Sequence, residues 1–258
     1  MPFRHHDLPR PLDADRTDVG PPRVALAPAP TRGLGPAGQA EGTGAFRRHA
    51  VHDCLDTLSA VRTQREPLPG EHWTAPLRAE RRLLAQVHAV VGLGRPALTE
   101  VAARGLDPDV PDAGRAFAAL FVLGAAAGDA WLRPLRALFE AAVTRHPDAM
   151  GAAAGALGLA PHPATDAALV PPRAHPDPKL RSATVRVLAF RGTLTDAAWV
   201  TAPADAAPAV VAAAASAPVD RGARRLADGA LAPLFTHPHD GIAGPALRAG
   251  LALGLPAA

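Results

Sequence analysis

His175-Pro176-Asp177-Pro178-Lys179-Leu180-Arg181-Ser182-Ala183-Thr184-Val185-Arg186-Val187-Leu188-Ala189-Phe190-Arg191-Gly192 reads as a turn, one amphipathic helix and a stop. Aspartate ahead of a helix accepts hydrogen bonds from the unpaired N–H groups of the first turn and complements the helix dipole. Proline fixes the turn and bars the preceding helix from running on. Leu180, Ala183, Thr184, Val187 and Leu188 recur at helical spacing and are expected to face inward, with Lys179, Ser182 and Arg186 toward water. Gly192 is placed to close the helix.

The same phrase recurs along the chain. His146-Pro147-Asp148 and His237-Pro238-His239-Asp240 stand before runs of small and aliphatic residues; Asp107-Pro108-Asp109 and Asp205-Ala206-Ala207-Pro208 are weaker copies. The marks fall at Asp109, Asp148, Asp177, Asp205 and His239, roughly 28 to 39 residues apart. Turn-plus-helix units of that length predict an all-α fold, an α-solenoid of stacked helical hairpins. No segment alternates convincingly, and alanine is a weak strand former, so strands are not expected.

Composition narrows the chemistry. Of 258 residues 48% are hydrophobic, much of this alanine, while aromatics make up 4% and tyrosine is absent. Thin, closely packed layers are implied rather than one thick core. A pI near 10.2 suggests nucleic acid, but the net charge is only +3. With a single lysine, Lys179, and no tyrosine, few groups titrate between neutrality and arginine, so a small excess drags the pI upward. Clustering is the better guide to an electrostatic footprint. The excess lies in residues 46–95, a mildly basic end rather than a stripe. Cys54 is the only cysteine, which rules out an intrachain disulfide and suits a reducing cytoplasm. No apolar run reaches the roughly 20 residues that span a bilayer, so no membrane partner is expected.

Residues 1–45, rich in proline, glycine and charge, are expected to form a disordered leader. A helical region is expected over 46–105. Val51, Cys54, Leu55, Leu58 and Val61 define one face of a first helix, and Leu83, Leu84, Val87, Val90 and Val91 that of a second, with Thr74 as its cap. The repeats then occupy 106–258, with Ala113, Phe117, Leu120, Phe121 and Gly124 on one face and Trp131, Leu135, Leu138 and Phe139 on the next. The last repeat is expected to be incomplete, with a helix near Gly241 to Leu255 and no partner helix after it.

The run from Pro176-Asp177 through Arg181, Leu188 and Gly192 resembles a HEAT-like repeat. The wider arrangement, carried by His49 to Arg65, Leu77 to Gly94, Asp107 to Gly124 and His237 to Pro256, resembles a bacterial HEAT-repeat-like protein family of the myxobacterial and pseudomonad type. This resemblance covers about residues 46–258. It implies a HEAT-like α-solenoid that binds protein partners, in a setting like that of type VI secretion clusters, with no catalytic residues to carry across.

Catalysis finds little support. His237, His239 and Asp240 offer three ligands within four residues, but metal sites want ligands that converge, and equivalent positions elsewhere are Pro-Asp caps. Iron hydroxylases of HEAT type use His-Glu pairs, and no His-Glu dipeptide occurs here. Cys54 lies on a core-like face, and no Gly-x-Ser-x-Gly elbow exists. Gly151, Gly155 and Gly158 lack the Lys-Ser/Thr of a phosphate loop and are expected to serve tight helix packing. No enzyme activity, cofactor or metal is therefore expected. The sequence favours a non-enzymatic, cytoplasmic scaffold or adaptor for a protein partner, with Arg78, Arg81, Arg82, Lys179, Arg186, Arg224 and Arg225 as candidate contacts. The alternative is a nucleic-acid-binding protein of glycosylase-like HEAT architecture, using the Arg78–Arg82 and Arg224–Arg225 clusters, with Trp73, Trp131 and Trp199 as its available aromatics.

Overall fold

The computed structural model describes residues 36–64, 72, 74, 76–106, 112–126, 128–195, 198, 201–221 and 231–255. The chain divides into two units, Met1–Gly42 and Thr43–Ala258, and the packing set out below belongs to the second. The regular structure among the described residues is all helical: α1 Pro36–Thr63, α2 Leu77–Gly92, α3 Arg95–Arg104, α4 Ala113–Ala125, α5 Leu132–Arg145, α6 Met150–Leu159, α7 Ala164–Leu169, α8 Pro178–Phe190, α9 Pro208–Arg221 and α10 Asp240–Leu253. None of them is long and apolar enough to cross a membrane. The first helix opens at Pro36, ahead of the start expected near Phe46; proline suits a first helical turn, where its missing N–H costs nothing.

Alanine and aliphatic residues surround α4 so evenly that Ala116 through Gly124 are buried without interruption. A helix apolar on all sides must be wrapped by others. Accordingly α4 packs on α2, α3, α5 and α6. Phe117 and Phe121 stack at 5.7 Å within it, and the Arg62 guanidinium of α1 lies 5.9 Å from the Phe117 ring. Arg115 of α4 also pairs with Asp56 of α1.

From α4 onward five helices form a row: α4 packs on α6, α6 on α8, α8 on α9 and α9 on α10. Alanine sets the spacing, since Ala213, Ala214 and Ala215 of α9 are fully buried between two neighbours. Val210, Ala213 and Ala214 belong to the larger core, while Val211 and Ala215 join Leu231, Leu234, Ile242, Ala246 and Ala249 in a second one. Short 3-10 turns at Pro171–Ala174, Ala202–Ala204 and Ala232–Leu234 pack against α8, α9 and α10 respectively.

The recurring phrase has a defined hydrogen-bond pattern ahead of α8, α9 and α10, whereas α6, behind His146-Pro147-Asp148, starts from Ala149 with no side-chain cap. Asp177 caps α8 by accepting from the Lys179 N–H at 2.8 Å, and Asp205 accepts from the Ala207 N–H at 2.8 Å ahead of α9. His175 and His237 act in the same way one step earlier, and His239 is itself the cap of α10. His175 Nδ1 accepts from the Asp177 N–H at 3.1 Å, His237 Nδ1 from the His239 N–H at 3.1 Å, and His239 Nδ1 from the Gly241 N–H at 3.2 Å. Each imidazole thus spans its neighbour to reach the next N–H, as an Asx turn does. His162-Pro163-Ala164 is a further copy that the sequence reading passed over, with Nδ1 accepting from Ala164 at 3.2 Å. Ahead of α4 the cap is Asp112, bonded to the Gly114 N–H at 2.7 Å; Asp107-Pro108-Asp109 lies outside the described residues. Thr74 does not cap α2 with its side chain: its carbonyl accepts from the Leu77 N–H, and its hydroxyl meets His72 Nδ1.

Helix α8 follows its expected face with one correction. Leu180, Ala183, Thr184, Val187 and Leu188 are buried, and Lys179 and Arg186 are exposed. Ser182 is 4% exposed instead of facing water. Neighbours on both sides cover α8 more widely than a single apolar stripe requires, and Ser182 Oγ donates to the Ala209 carbonyl of α9 at 2.9 Å. Leu84 of α2 departs in the other direction and is exposed, Ala79 taking a place on the buried face. Gly192 ends α8 at φ 72°, and the Leu188 carbonyl then accepts from both Thr193 and Leu194.

Two arginines tie α8 to its neighbours in opposite directions. Arg181 donates to both carboxylate oxygens of Asp205 at 2.9 and 2.8 Å, and to the carbonyls of His175 and Pro176, each at 2.9 Å. These bonds hold the Asp205 carboxyl below its ordinary range, with the Ala207 N–H acting the same way and partial burial opposing. Arg191, its side chain 9% exposed, pairs with Asp166 and reaches the carbonyls of Leu157, Ala160 and His162. It thereby satisfies the open C-terminal end of α6 and the approach to α7.

Three outcomes follow from this packing. Arg191→Ala should cost about 2 kcal/mol, because a partly buried carboxylate and three carbonyls lose their donor; a fall in the urea midpoint with unchanged slope checks it. Asp205 has a folded pKa below its unfolded one. Its contribution is therefore complete above the ordinary carboxylate value and disappears as pH falls through the depressed one. Asp205→Asn should accordingly lower stability at pH 7 and flatten its decline below about pH 4, read from unfolding midpoints across pH. Leu188→Asp should abolish much of the helical circular dichroism by burying an unpaired charge.

Candidate functional site

Three helices of the row, α6, α8 and α9, build an open groove of about 480 Å³. From α6 come Gly151, Ala154, Gly155, Gly158 and Leu159; from α8 come Arg186, Val187 and Phe190; α9 adds Ser216. Gly151, Gly155 and Gly158 share one face of α6 by their spacing, as do Arg186 and Phe190 on α8. The two helices meet at their C-terminal ends: an added Cβ at Gly158 would lie 3.0 Å from the Phe190 ring, and Arg191 just beyond α8 reaches the Leu157 carbonyl. The groove thus has an apolar end, at Leu159 and Phe190, and a cationic one, at Arg186.

Its surface is unusual for an unpartnered helix row. Phe190 is 55% exposed and Leu159 36% exposed, on a floor of glycine and alanine. The expectation that all three α6 glycines serve tight packing holds for Gly158 alone. At Gly151 and Gly155 a Cβ would meet nothing within 4 Å. Glycine inside a helix is destabilising relative to alanine, so the fold bears a cost at Gly155 that its own packing does not explain.

Among the described residues, one of the sequence-derived contacts lines this groove, namely Arg186. Lys179 is exposed two helical turns earlier on the same face of α8. Arg78, Arg81 and Arg82 are exposed on α2, which packs on α3 and α4 instead. Arg224 and Arg225 lie outside the described residues, as do Trp73 and Trp199. Trp131 is half-buried against the larger core. Phe190 and Leu159 were missed because periodicity assigns apolar residues to the interior by default.

Other features serve the structure. His237 and His239 spend their Nδ1 atoms on their own turns. Among the described residues no three histidine, cysteine or acidic side chains group as metal ligands. Cys54 is half-buried, and its thiol donates to Gln86 Oε1 at 3.0 Å; burial, and then the neighbouring Asp53 charge, push its pKa up and away from a thiolate. A notch of about 150 Å³ beside Arg173 and Thr201 includes Asp205, already engaged by Arg181. A recess of about 450 Å³ between α3 and α5 exposes no large apolar side chain among the described residues.

Gly155→Ala should stabilise the protein by about 0.5–1 kcal/mol, as a helix-interior glycine in open space allows. Gly158→Ala should gain less, since its Cβ must displace the Phe190 ring. Urea midpoints of the two variants check the order. No family model, curated protein or solved structure matches this chain, so its function is read from the groove itself.

Proposed function

We propose that this chain is a non-enzymatic, cytoplasmic scaffold or adaptor, a HEAT-like α-solenoid that holds a protein partner on the α6–α8–α9 face. The solenoid reading is supported by the ordered row from α4 to α10 and by turn-and-cap phrases that precede successive helices. The partner reading is carried by one observation, a groove of about 480 Å³ with Phe190 and Leu159 standing exposed at one end. An apolar surface rimmed by polar groups is the usual mark of a protein contact.

The nucleic-acid alternative draws on the exposed Arg78, Arg81 and Arg82 of α2. Those cations stand apart from the groove, and a phosphate-binding surface needs more concentrated charge than a net +3 supplies. A nuclease-treated affinity capture from native lysate, run in parallel with Gly155→Trp, separates the two readings. A discrete protein retained by the wild type and lost by the variant is the expected outcome. Loss of every partner on nuclease treatment would transfer the function to nucleic acid.

A further inference from the structure

Resting on that reading, we infer that the groove receives one amphipathic α-helix of a partner, aliphatic where it meets Phe190 and Leu159, and acidic where it meets Arg186. Three observations on this face select that occupant. The first is the floor. Gly151 and Gly155 leave the α6 backbone bare, with open space where a Cβ would stand, and helix axes approach most closely where the contact residues are small. A bare backbone strip fits the side of another helix, whose apolar residues at i, i+3 and i+7 would lie along it.

The second is charge. Among the described residues no acidic side chain lines the groove, and Arg186 is the one charged group there. Helix α6 has no ionisable residue and α8 no acidic one. Arg181 is committed to Asp205, whereas Arg186 and Lys179 point outward from one face of α8, seven residues apart. Seven residues are about two turns, or roughly 10 Å along the axis. A partner helix lying along α8 would therefore place carboxylates two turns apart opposite these cations, with its aliphatic residues running on to Phe190.

The third is polarity along the groove. Lys179 and Arg186 precede Phe190 along one face of α8, so a helix with acidic residues at one end and aliphatic ones at the other has a single favoured direction. An acyl chain with an anionic head would share the charge pattern but has no use for a glycine floor broad enough for a second backbone.

The test is a display library of single helices of about 20 residues, randomised on one face and selected on the full chain. Clones are then titrated against wild type, Gly155→Trp, Gly151→Trp and Arg186→Glu. All three positions are exposed, and circular dichroism and unfolding midpoints verify that the variants remain folded. Selected helices are expected to be enriched in aliphatic residues at i, i+3 and i+7 and in Asp or Glu about two turns apart. Binding should fall by about a hundredfold or more in either tryptophan variant, and about tenfold in Arg186→Glu, with recovery when the helix carries Lys in place of Glu.

Helices that bind the tryptophan variants undiminished, or selections without acidic enrichment, overturn the proposal. So does concentration-dependent self-association of the wild type that Gly155→Trp abolishes, because a second copy then fills the groove. A nuclease-resistant protein partner alongside any of these results leaves the scaffold reading intact and removes only the acidic helix. Absence of any such partner removes the scaffold reading first.

Discussion

Helix α8 is held from both ends by arginine, and the arrangement of the row depends on it. Arg181 fastens the start of α8 to the Asp205 turn that launches α9, while Arg191 fastens its end to the loop that leaves α6. Both guanidiniums add backbone carbonyls to a carboxylate, so each satisfies an end of helix or turn as well as a charge. A layer built largely from alanine offers little side-chain interlocking, and such bonds supply the register that thin packing leaves loose. The groove inherits this register: its floor is α6, its cationic wall is α8, and Arg191 sets how those two helices meet.

How much of this could be read in the chain follows from where each interaction lives. The caps were legible because they are local: Asp177 and Asp205 bond two residues ahead, and their neighbouring prolines mark the turns. The inward face of α8 was legible because burial repeats with the helix. Ser182 was not, because whether a small polar residue is covered depends on a neighbour's carbonyl, here that of Ala209. Arg191 lay at a helix end, where an exposed cation is the default reading, and its partners sit many residues earlier in the chain. His162-Pro163 was passed over because alanine, not aspartate, follows it.

The groove was the least legible feature. Glycines at helical spacing read as packing contacts, and only the positions of neighbouring atoms distinguish Gly158, which meets Phe190, from Gly151 and Gly155, which face open space. Phe190 is the last residue of a helix whose other apolar side chains from Leu180 to Ala189 are buried, and it gives no local sign that its ring stands outside. Arg186 alone was identified both by its sequence position and by its place in the groove.

The alanines of α9 carry a different consequence. Ala213, Ala214 and Ala215 have no rotamers to lose on folding and no methyl group beyond Cβ to give up, so truncation can remove little from this helix. Enlargement is the damaging direction, since a larger side chain on either side must push α8 or α10 away. Sequence change at these three positions is therefore constrained more tightly toward larger side chains than toward glycine, which costs about 1 kcal/mol of helix propensity. Drift can make these positions smaller at modest cost, but it can enlarge one only when its neighbour across the interface gives up the same volume.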